Sequence, residues 1–89
     1  MIRIAICDDI DVFTYHVKKT LQEYNFNTDL EIDVFNSGRS LFEKAIKEKY
    51  DIILIDIHLS EDEAEENGMI ISNKIKNIYP DIIVIFLTG

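Results

Sequence analysis

The chain has 89 residues, of which 47% are hydrophobic and 29% are charged, and its formal net charge is −8 at pH 7. This composition predicts one globular domain or part of one, and it excludes a disordered chain. The acidic balance argues against direct binding of nucleic acid or of an anionic membrane, no apolar run approaches the roughly 18 residues that cross a bilayer, and we therefore expect a cytoplasmic protein.

The chain begins with a predicted strand that ends in two acids. Residues 2–7 form a short apolar run with several β-branched side chains, and Asp8 and Asp9 follow it directly. In residues 12–24 the apolar positions recur in steps of four, four and three, which indicates one face of a helix. Asp11 is the predicted N-cap of this helix.

A second strand and a second helix follow. Residues 30–34 alternate between apolar and acidic side chains, which predicts a strand with one face in water. The apolar residues in the segment 41–46 predict the next helix, and two residues compete as its N-cap. Ser40 together with Glu43 fits a capping box, whereas Ser37 is the rival cap.

The second half of the chain contains the two most apolar segments. Residues 52–55 form an almost unbroken apolar run that ends at Asp56, as expected of a central parallel strand buried on both faces. A third helix is predicted to begin at Asn67 and Gly68 and to turn three residues inward: Ile71, Ile75 and Ile78. Residues 82–87 form a second fully apolar run, which predicts a fourth strand.

The predicted order βαβαβαβ implies a parallel sheet with right-handed crossovers, in which ligands bind at the carboxyl ends of the strands. If strands one, three and four are neighbours, the carboxylates of Asp8, Asp9 and Asp56 and the hydroxyl of Thr88 converge at that edge. Three carboxylates in one crevice repel one another, and a hard divalent cation removes the repulsion. Mg²⁺ suits such a site because it prefers oxygen ligands.

An aspartate beside a bound metal ion can attack phosphorus and form an acyl phosphate. A hydroxyl such as that of Thr88 can then bind one of the phosphoryl oxygens. A structural interpretation stays open at this point. Acids at strand ends also cap the helices that follow, and a threonine can satisfy a backbone group at the end of its strand.

Four segments, taken in their order and spacing, resemble the receiver domain of two-component response regulators. They are residues 4–9, 35–38, 53–59 and 85–89. The first two are most similar to receivers attached to LytTR-type DNA-binding domains. The resemblance implies an α/β fold of the flavodoxin-like, CheY-like kind, with a doubly wound parallel sheet in the strand order 2-1-3-4-5.

The resemblance also implies a role for each candidate site residue. Asp56 would be the phosphoacceptor. Asp9 would bind Mg²⁺ directly, Asp8 would act mainly through a metal-bound water, and the backbone carbonyl of His58 would be a further ligand. Thr88 would be the switch residue, whose hydroxyl binds the phosphoryl group.

The implied partner is a sensor histidine kinase, which would phosphorylate a regulatory phosphoacceptor domain rather than an enzyme. In the intact protein the phosphorylated domain would switch an output, most often transcription, and DNA would be bound only through an output domain outside residues 1–89. Strands one to four and helices one to three of the family are present, whereas its last helix, strand and helix are not. Residues 1–89 are therefore expected to be a partial receiver domain, and the apolar strand at 82–87 is expected to cause self-association.

Two features depart from the family pattern, and two alternative functions remain. The family places a glycine soon after the acceptor aspartate, whereas Gly68 stands twelve residues after Asp56, beyond a long acidic loop. The family's fifth strand ends in a lysine that pairs with the phosphoryl group, and residues 1–89 do not include that strand. One alternative function is a non-catalytic α/β interaction module whose acids are accidental. The other alternative is a fragment of a haloacid-dehalogenase-like phosphotransferase, because Asp9 and Asp11 match the Asp-x-Asp signature that follows the first strand of that family.

Overall fold

The computed structural model describes residues 1–8, 11–24, 29–57 and 67–87, without the side chains of residues 11–13. Seven elements alternate along the chain as predicted: β1 (Ile2–Cys7), α1 (Asp11–Glu23), β2 (Leu30–Phe35), α2 (Gly38–Ala45), β3 (Ile52–Asp56), α3 (Gly68–Ile78) and β4 (Ile83–Leu87). The four strands are parallel and lie in the order β2-β1-β3-β4. The predicted doubly wound parallel sheet is therefore confirmed for these strands.

The main core lies on the face of the sheet that α2 and α3 cover. Ala5 and Cys7 of β1 and Ile53 and Ile55 of β3 are fully buried there. Each large apolar side chain buried in this way stabilises the fold by about 1.5–3 kcal/mol. These strand residues form one cluster with residues from both helices: Leu41, Ala45, Ile71 and Ile75.

The opposite face of the sheet is covered less completely. Ile4 and Ile6 of β1 are buried on this face, where α1 packs over β1 and β2. Ile52 and Leu54 of β3 are only half-buried, since α1 packs mainly over β1 and β2 on this face. The prediction that β3 is buried on both faces is therefore right for only one face.

Five large apolar side chains at the edges and ends of elements are exposed, and for two of them the exposure contradicts the prediction. Val34 of the edge strand β2 is 40% exposed although the alternation predicted it inward, and Ile78 in the last turn of α3 is 47% exposed. Both predictions were wrong because periodicity assigns a face but not the extent of the neighbouring layer. β4, at the other edge, exposes three large residues: Ile83, Ile85 and Phe86.

The helix ends settle the competing N-cap predictions. Ser37 caps α2, because its hydroxyl accepts a hydrogen bond from the backbone N–H of Ser40 at 3.2 Å. The capping box built on Ser40 was therefore wrong. α1 begins at Asp11, whose side chain lies outside the described part, so its role as the N-cap stays a prediction. Within the described residues, the helices are too short or too polar to span a membrane.

Candidate functional site

The carboxyl ends of β1 and β3 place two acidic residues side by side. Cys7 pairs with Ile55 in the parallel register, and Asp8 and Asp56 are the next residues along the two strands. The backbone N–H of Asp8 donates to the carbonyl of Phe35 at 3.1 Å, so β1 remains bonded to β2 at this point. Asp8 is 5% exposed and Asp56 is half-buried. Two predicted site residues therefore occupy adjacent positions at the predicted edge of the sheet.

The end of β4 reaches the same edge from the other side of β3. Asp56 pairs with Leu87, and the N–H of Ile57 donates to the carbonyl of Leu87 at 3.3 Å. The pairing of β3 with β4 thus extends one residue beyond Asp56. Three further candidate site residues, Asp9, His58 and Thr88, lie outside the described residues, so their roles stay predictions.

Gly68, the first residue of α3, packs directly against the backbone of Asp56. A Cβ atom added to Gly68 would overlap the carbonyl oxygen of Asp56, and it would lie 3.0 Å from the carbonyl carbon and 3.1 Å from the Cα of Ile57. Asn67 caps the helix at this contact, since its side chain accepts from the N–H of Ile70 at 3.0 Å. The twelve-residue spacing in the sequence therefore does not separate the glycine from the aspartate in space.

The described part of the predicted metal site has the donor chemistry of Mg²⁺. Asp8 and Asp56 supply adjacent carboxylates, one of them buried, and hard oxygen donors of this kind suit the ion. Within the described ranges, no group of three or more His, Cys, Asp or Glu residues lies close enough together to hold a metal ion. Of the four predicted metal ligands, only Asp8 and Asp56 lie within those ranges, and Asp9 and His58 lie outside them.

A second polar cluster, which the sequence analysis missed, lies at the amino end of the sheet. The Arg3 guanidinium donates to Glu31 at 3.3 Å and to Glu48 at 3.0 Å, and it stacks 4.8 Å from the ring centroid of Tyr50. The Tyr50 hydroxyl donates to Asp33 at 2.6 Å, and burial together with this hydrogen bond raises the pKa of Tyr50. This Arg3–Tyr50 cluster ties the connection before β3 to β1 and β2.

Comparison with known proteins identifies one family and several similar structures. A family model for the response regulator receiver domain matches residues 4–89. A response regulator receiver domain protein from Clostridium thermocellum superimposes with a TM-score of 0.81 at 23% identity, over 100% of this chain and 66% of that one. RcsB from Salmonella enterica serovar Typhimurium, bound to the rprA promoter in the presence of the phosphomimetic BeF₃⁻, gives 0.81 at 18% identity, over 99% and 43%.

A two component transcriptional regulator AraC from Clostridium phytofermentans is also similar, with a TM-score of 0.78 at 24% identity, over 100% of this chain and 68% of that one. None of the curated proteins matches the chain. At these identities the solved structures support the fold alone. The chain spans 66% of the Clostridium thermocellum protein and 43% of RcsB.

Proposed function

Because the chain belongs to the response regulator receiver domain family, we propose that Asp56 accepts a phosphoryl group from a sensor histidine kinase. The observation that carries the proposal is the position of Asp56 at the carboxyl end of β3, between Asp8 and the end of β4. Open α/β sheets bind ligands at this edge. The chain then acts as a regulatory phosphoacceptor in a phosphorelay, and not as an enzyme that turns over a substrate.

The transfer is a displacement at phosphorus. A carboxylate oxygen of Asp56 attacks the phosphorus atom of a phosphohistidine on the kinase, and a new oxygen–phosphorus bond forms. The phosphorus–nitrogen bond breaks, and its electron pair stays on the imidazole nitrogen. The ring leaves as neutral imidazole when its other nitrogen carries a proton. The products are an acyl phosphate on Asp56 and an unmodified kinase histidine.

We assign the Mg²⁺ ligands to Asp8, Asp9, Asp56 and the backbone carbonyl of His58. The support is the adjacency of the buried Asp8 to Asp56, two hard oxygen donors at one edge of the sheet. When bound, Mg²⁺ neutralises negative charge on the oxygens of the transferred group. Asp8 contributes a carboxylate that the fold holds in place, since its backbone N–H is bonded to β2.

Thr88 is the proposed switch residue, whose hydroxyl binds a phosphoryl oxygen. The support is its position in the chain, directly after Leu87, which pairs with Asp56. The output of the switch is proposed to be transcription in the cytoplasm, with DNA bound through a separate output domain of the LytTR type. One similar structure is a regulator bound to promoter DNA, and another is described as a two component transcriptional regulator, which supports transcription as the class of output.

Incubation with Mg²⁺ and a small acyl phosphate tests the proposal. We expect acid-labile phosphate on Asp56, located by mass spectrometry of peptides after chemical reduction of the acyl phosphate. The haloacid-dehalogenase alternative instead predicts labelling of Asp9, with Asp11 as the second acid of its signature. The family match supports the receiver interpretation. Labelling at Asp9 alone, or nowhere, would overturn the proposal.

We also propose that the 89-residue chain self-associates through β4. The N–H of Ile83 donates to the carbonyl of Asp51, the residue before β3, at 3.0 Å, and the carbonyl of Leu87 accepts from the N–H of Ile57, the residue after β3. Alternate residues of β4 therefore bond to β3. The N–H and C=O groups of Val84 and Phe86 therefore point to the outer edge, where no other described strand lies. If β4 of a second copy pairs antiparallel to this edge, with the two-fold axis at Ile85, Val84 of each copy lies opposite Phe86 of the other and their N–H and C=O groups can bond.

Sedimentation of two matched variants tests this pairing. Ile85 and Ile78 are each 47% exposed, but only Ile85 lies on β4. A lysine at an edge strand opposes pairing, so Ile85→Lys is expected to be monomeric, whereas the wild type and Ile78→Lys are expected to associate. A wild-type chain that sediments as a monomer at the highest soluble concentration would contradict the proposal.

A further inference from the structure

Gly68 is buried at the start of α3, and its Cα faces the backbone of the proposed acceptor. The added Cβ atom described above would overlap the carbonyl oxygen of Asp56 and would press on Ile57 as well. We infer that Gly68 is a positioning residue, which holds the acceptor carboxylate in place by letting α3 approach the end of β3. This inference rests on the proposed function, because it assigns Gly68 a role only through Asp56.

Space, and not backbone conformation, requires glycine at this position. The φ angle of Gly68 lies outside the left-handed region, so its backbone is open to any residue. Glycine is also the least favourable helix residue after proline. If Gly68 served only to begin the helix, an alanine would therefore be neutral or stabilising. The close approach to Asp56 predicts the opposite.

Both sides of the contact between Gly68 and Asp56 are held in place by other contacts. On one side, Asp56 pairs with Leu87 and the N–H of Ile57 is bonded to the same strand, which fixes the end of β3. On the other side, α3 is held by Ile71 and Ile75, which are 4% and 0% exposed in the core. A methyl group at position 68 must therefore displace the carbonyl of Asp56 or the first turn of α3.

A displacement of this size matters to phosphoryl transfer more than to folding. The reacting oxygen must lie in line with the phosphorus and the leaving group. A misplacement on the order of 1 Å costs about 100-fold in rate for a reaction that depends on such alignment. The backbone carbonyl of Asp56 and its carboxylate belong to the same residue, so a shift of one moves the other.

The test compares Gly68→Ala with Ile82→Val, a variant that removes one buried methyl group from the same core but outside α3 and β3. Both are labelled with a saturating small acyl phosphate and saturating Mg²⁺, and the rate is expressed per folded molecule. We expect Gly68→Ala to be labelled at Asp56 more slowly by on the order of 10- to 100-fold. Ile82→Val is expected to lose stability but to keep the wild-type rate, because Ile82 lies in the core before β4 and is 2% exposed there.

The outcomes separate the inference from the function on which it rests. A wild-type chain without label at Asp56 overturns the proposed function. A labelled wild type with an equally fast Gly68→Ala overturns the positioning role alone, as does a rate loss in Ile82→Val that equals the loss in Gly68→Ala. If Gly68→Ala is unfolded in buffer, an excluded osmolyte such as trimethylamine N-oxide restores folding, and all three chains are compared in it.

Discussion

The two ends of the sheet both collect acidic side chains, but they balance the charge in different ways. At the amino end, Glu31, Asp33 and Glu48 lie 3.3, 3.8 and 3.0 Å from the guanidinium of Arg3. At the carboxyl end, Asp8 and Asp56 lie side by side. The cation proposed for this end is Mg²⁺, which comes from solution and is not part of the chain.

The difference separates acids that stabilise the fold from acids that can take part in chemistry. The guanidinium of Arg3 is part of the chain and does not exchange with solvent. The amino end therefore holds β1, β2 and the connection before β3 together at all times. An exchangeable cation leaves the oxygens of the carboxyl end able to meet a phosphoryl group. Variants at the amino end should therefore change stability and spare labelling, whereas variants at the carboxyl end should do the reverse.

The largest expected effect is a complete loss of phosphoryl acceptance in Asp56→Asn. The amide has the shape of the carboxylate but does not attack phosphorus, and removal of a charge beside Asp8 relieves repulsion. We expect an unchanged circular dichroism spectrum, an unchanged or higher melting temperature, and no acid-labile phosphate. Asp51→Asn is the control at the amino end, where the carboxylate of Asp51 accepts from the backbone N–H of Arg3 at 2.8 Å. Full labelling of Asp56→Asn would place the acceptor elsewhere.

The second effect is stabilisation by Mg²⁺. An ion that binds only the native state stabilises it by about 2.7 kcal/mol at a hundredfold excess over its dissociation constant. Thermal melting with Mg²⁺ and with a chelator measures the shift, and Asp9→Ala is expected to remove it. Glu63→Ala and Glu65→Ala, in the acidic segment between Asp56 and Asn67, are expected to keep most of it. A shift that survives in Asp9→Ala but disappears in Glu63→Ala and Glu65→Ala would place the ion in the acidic segment.

The third effect is a loss of stability at the amino end. Arg3 is 19% exposed and bonds to two carboxylates, so Arg3→Leu is expected to cost about 1–2 kcal/mol in urea unfolding, with allowance for the half-exposed partners. Lys19→Leu breaks a 4.0 Å pair with Glu23 in which both side chains are more than half exposed, and it should cost less than about 0.5 kcal/mol. If Arg3→Leu also slowed labelling per folded molecule, the two ends would not be independent.

The sequence predicted the carboxyl end better than the amino end. Asp8 and Asp56 could be placed together because each follows an apolar run, and the carboxyl ends of parallel strands meet at one edge. The Arg3–Tyr50 cluster depends on the register that sets Arg3 opposite Glu31, and register is not visible in the periodicity of one strand.

The contact of Gly68 with Asp56 could not be predicted for a different reason. Spacing along the chain measures the length of the connection, whereas the two ends of a long connection can still meet in space. The burial of β3 and Ile78 was misjudged because an apolar pattern names a face without stating how far the next layer extends. The sequence therefore predicted which residues lie at the same edge of the sheet, whereas the structure showed which residues pack against them.

The last effect belongs to Tyr50, and the pH-dependent part of its contribution to stability changes only in alkali. Burial, with the hydrogen bond to Asp33, raises the pKa of Tyr50 above the value of about 10 that the unfolded chain has. Below pH 10 the phenol is protonated in both states, so its contribution to stability is fully present and does not vary. Above pH 10 the unfolded chain releases the proton while the folded chain keeps it, so stability falls as the pH rises towards the pKa of the folded state.

Tyr50→Phe isolates this contribution, because other groups also titrate in alkali. The variant lacks the hydroxyl that donates to Asp33 at 2.6 Å, and it is expected to lose about 1 kcal/mol at pH 7. The difference between wild type and variant, measured by urea unfolding from pH 7 to 11, should shrink above pH 10. Tyr15→Phe, at an exposed position, keeps Tyr50 and therefore keeps the slope. A constant difference across this range would show that Asp33 does not hold the phenol in its protonated form.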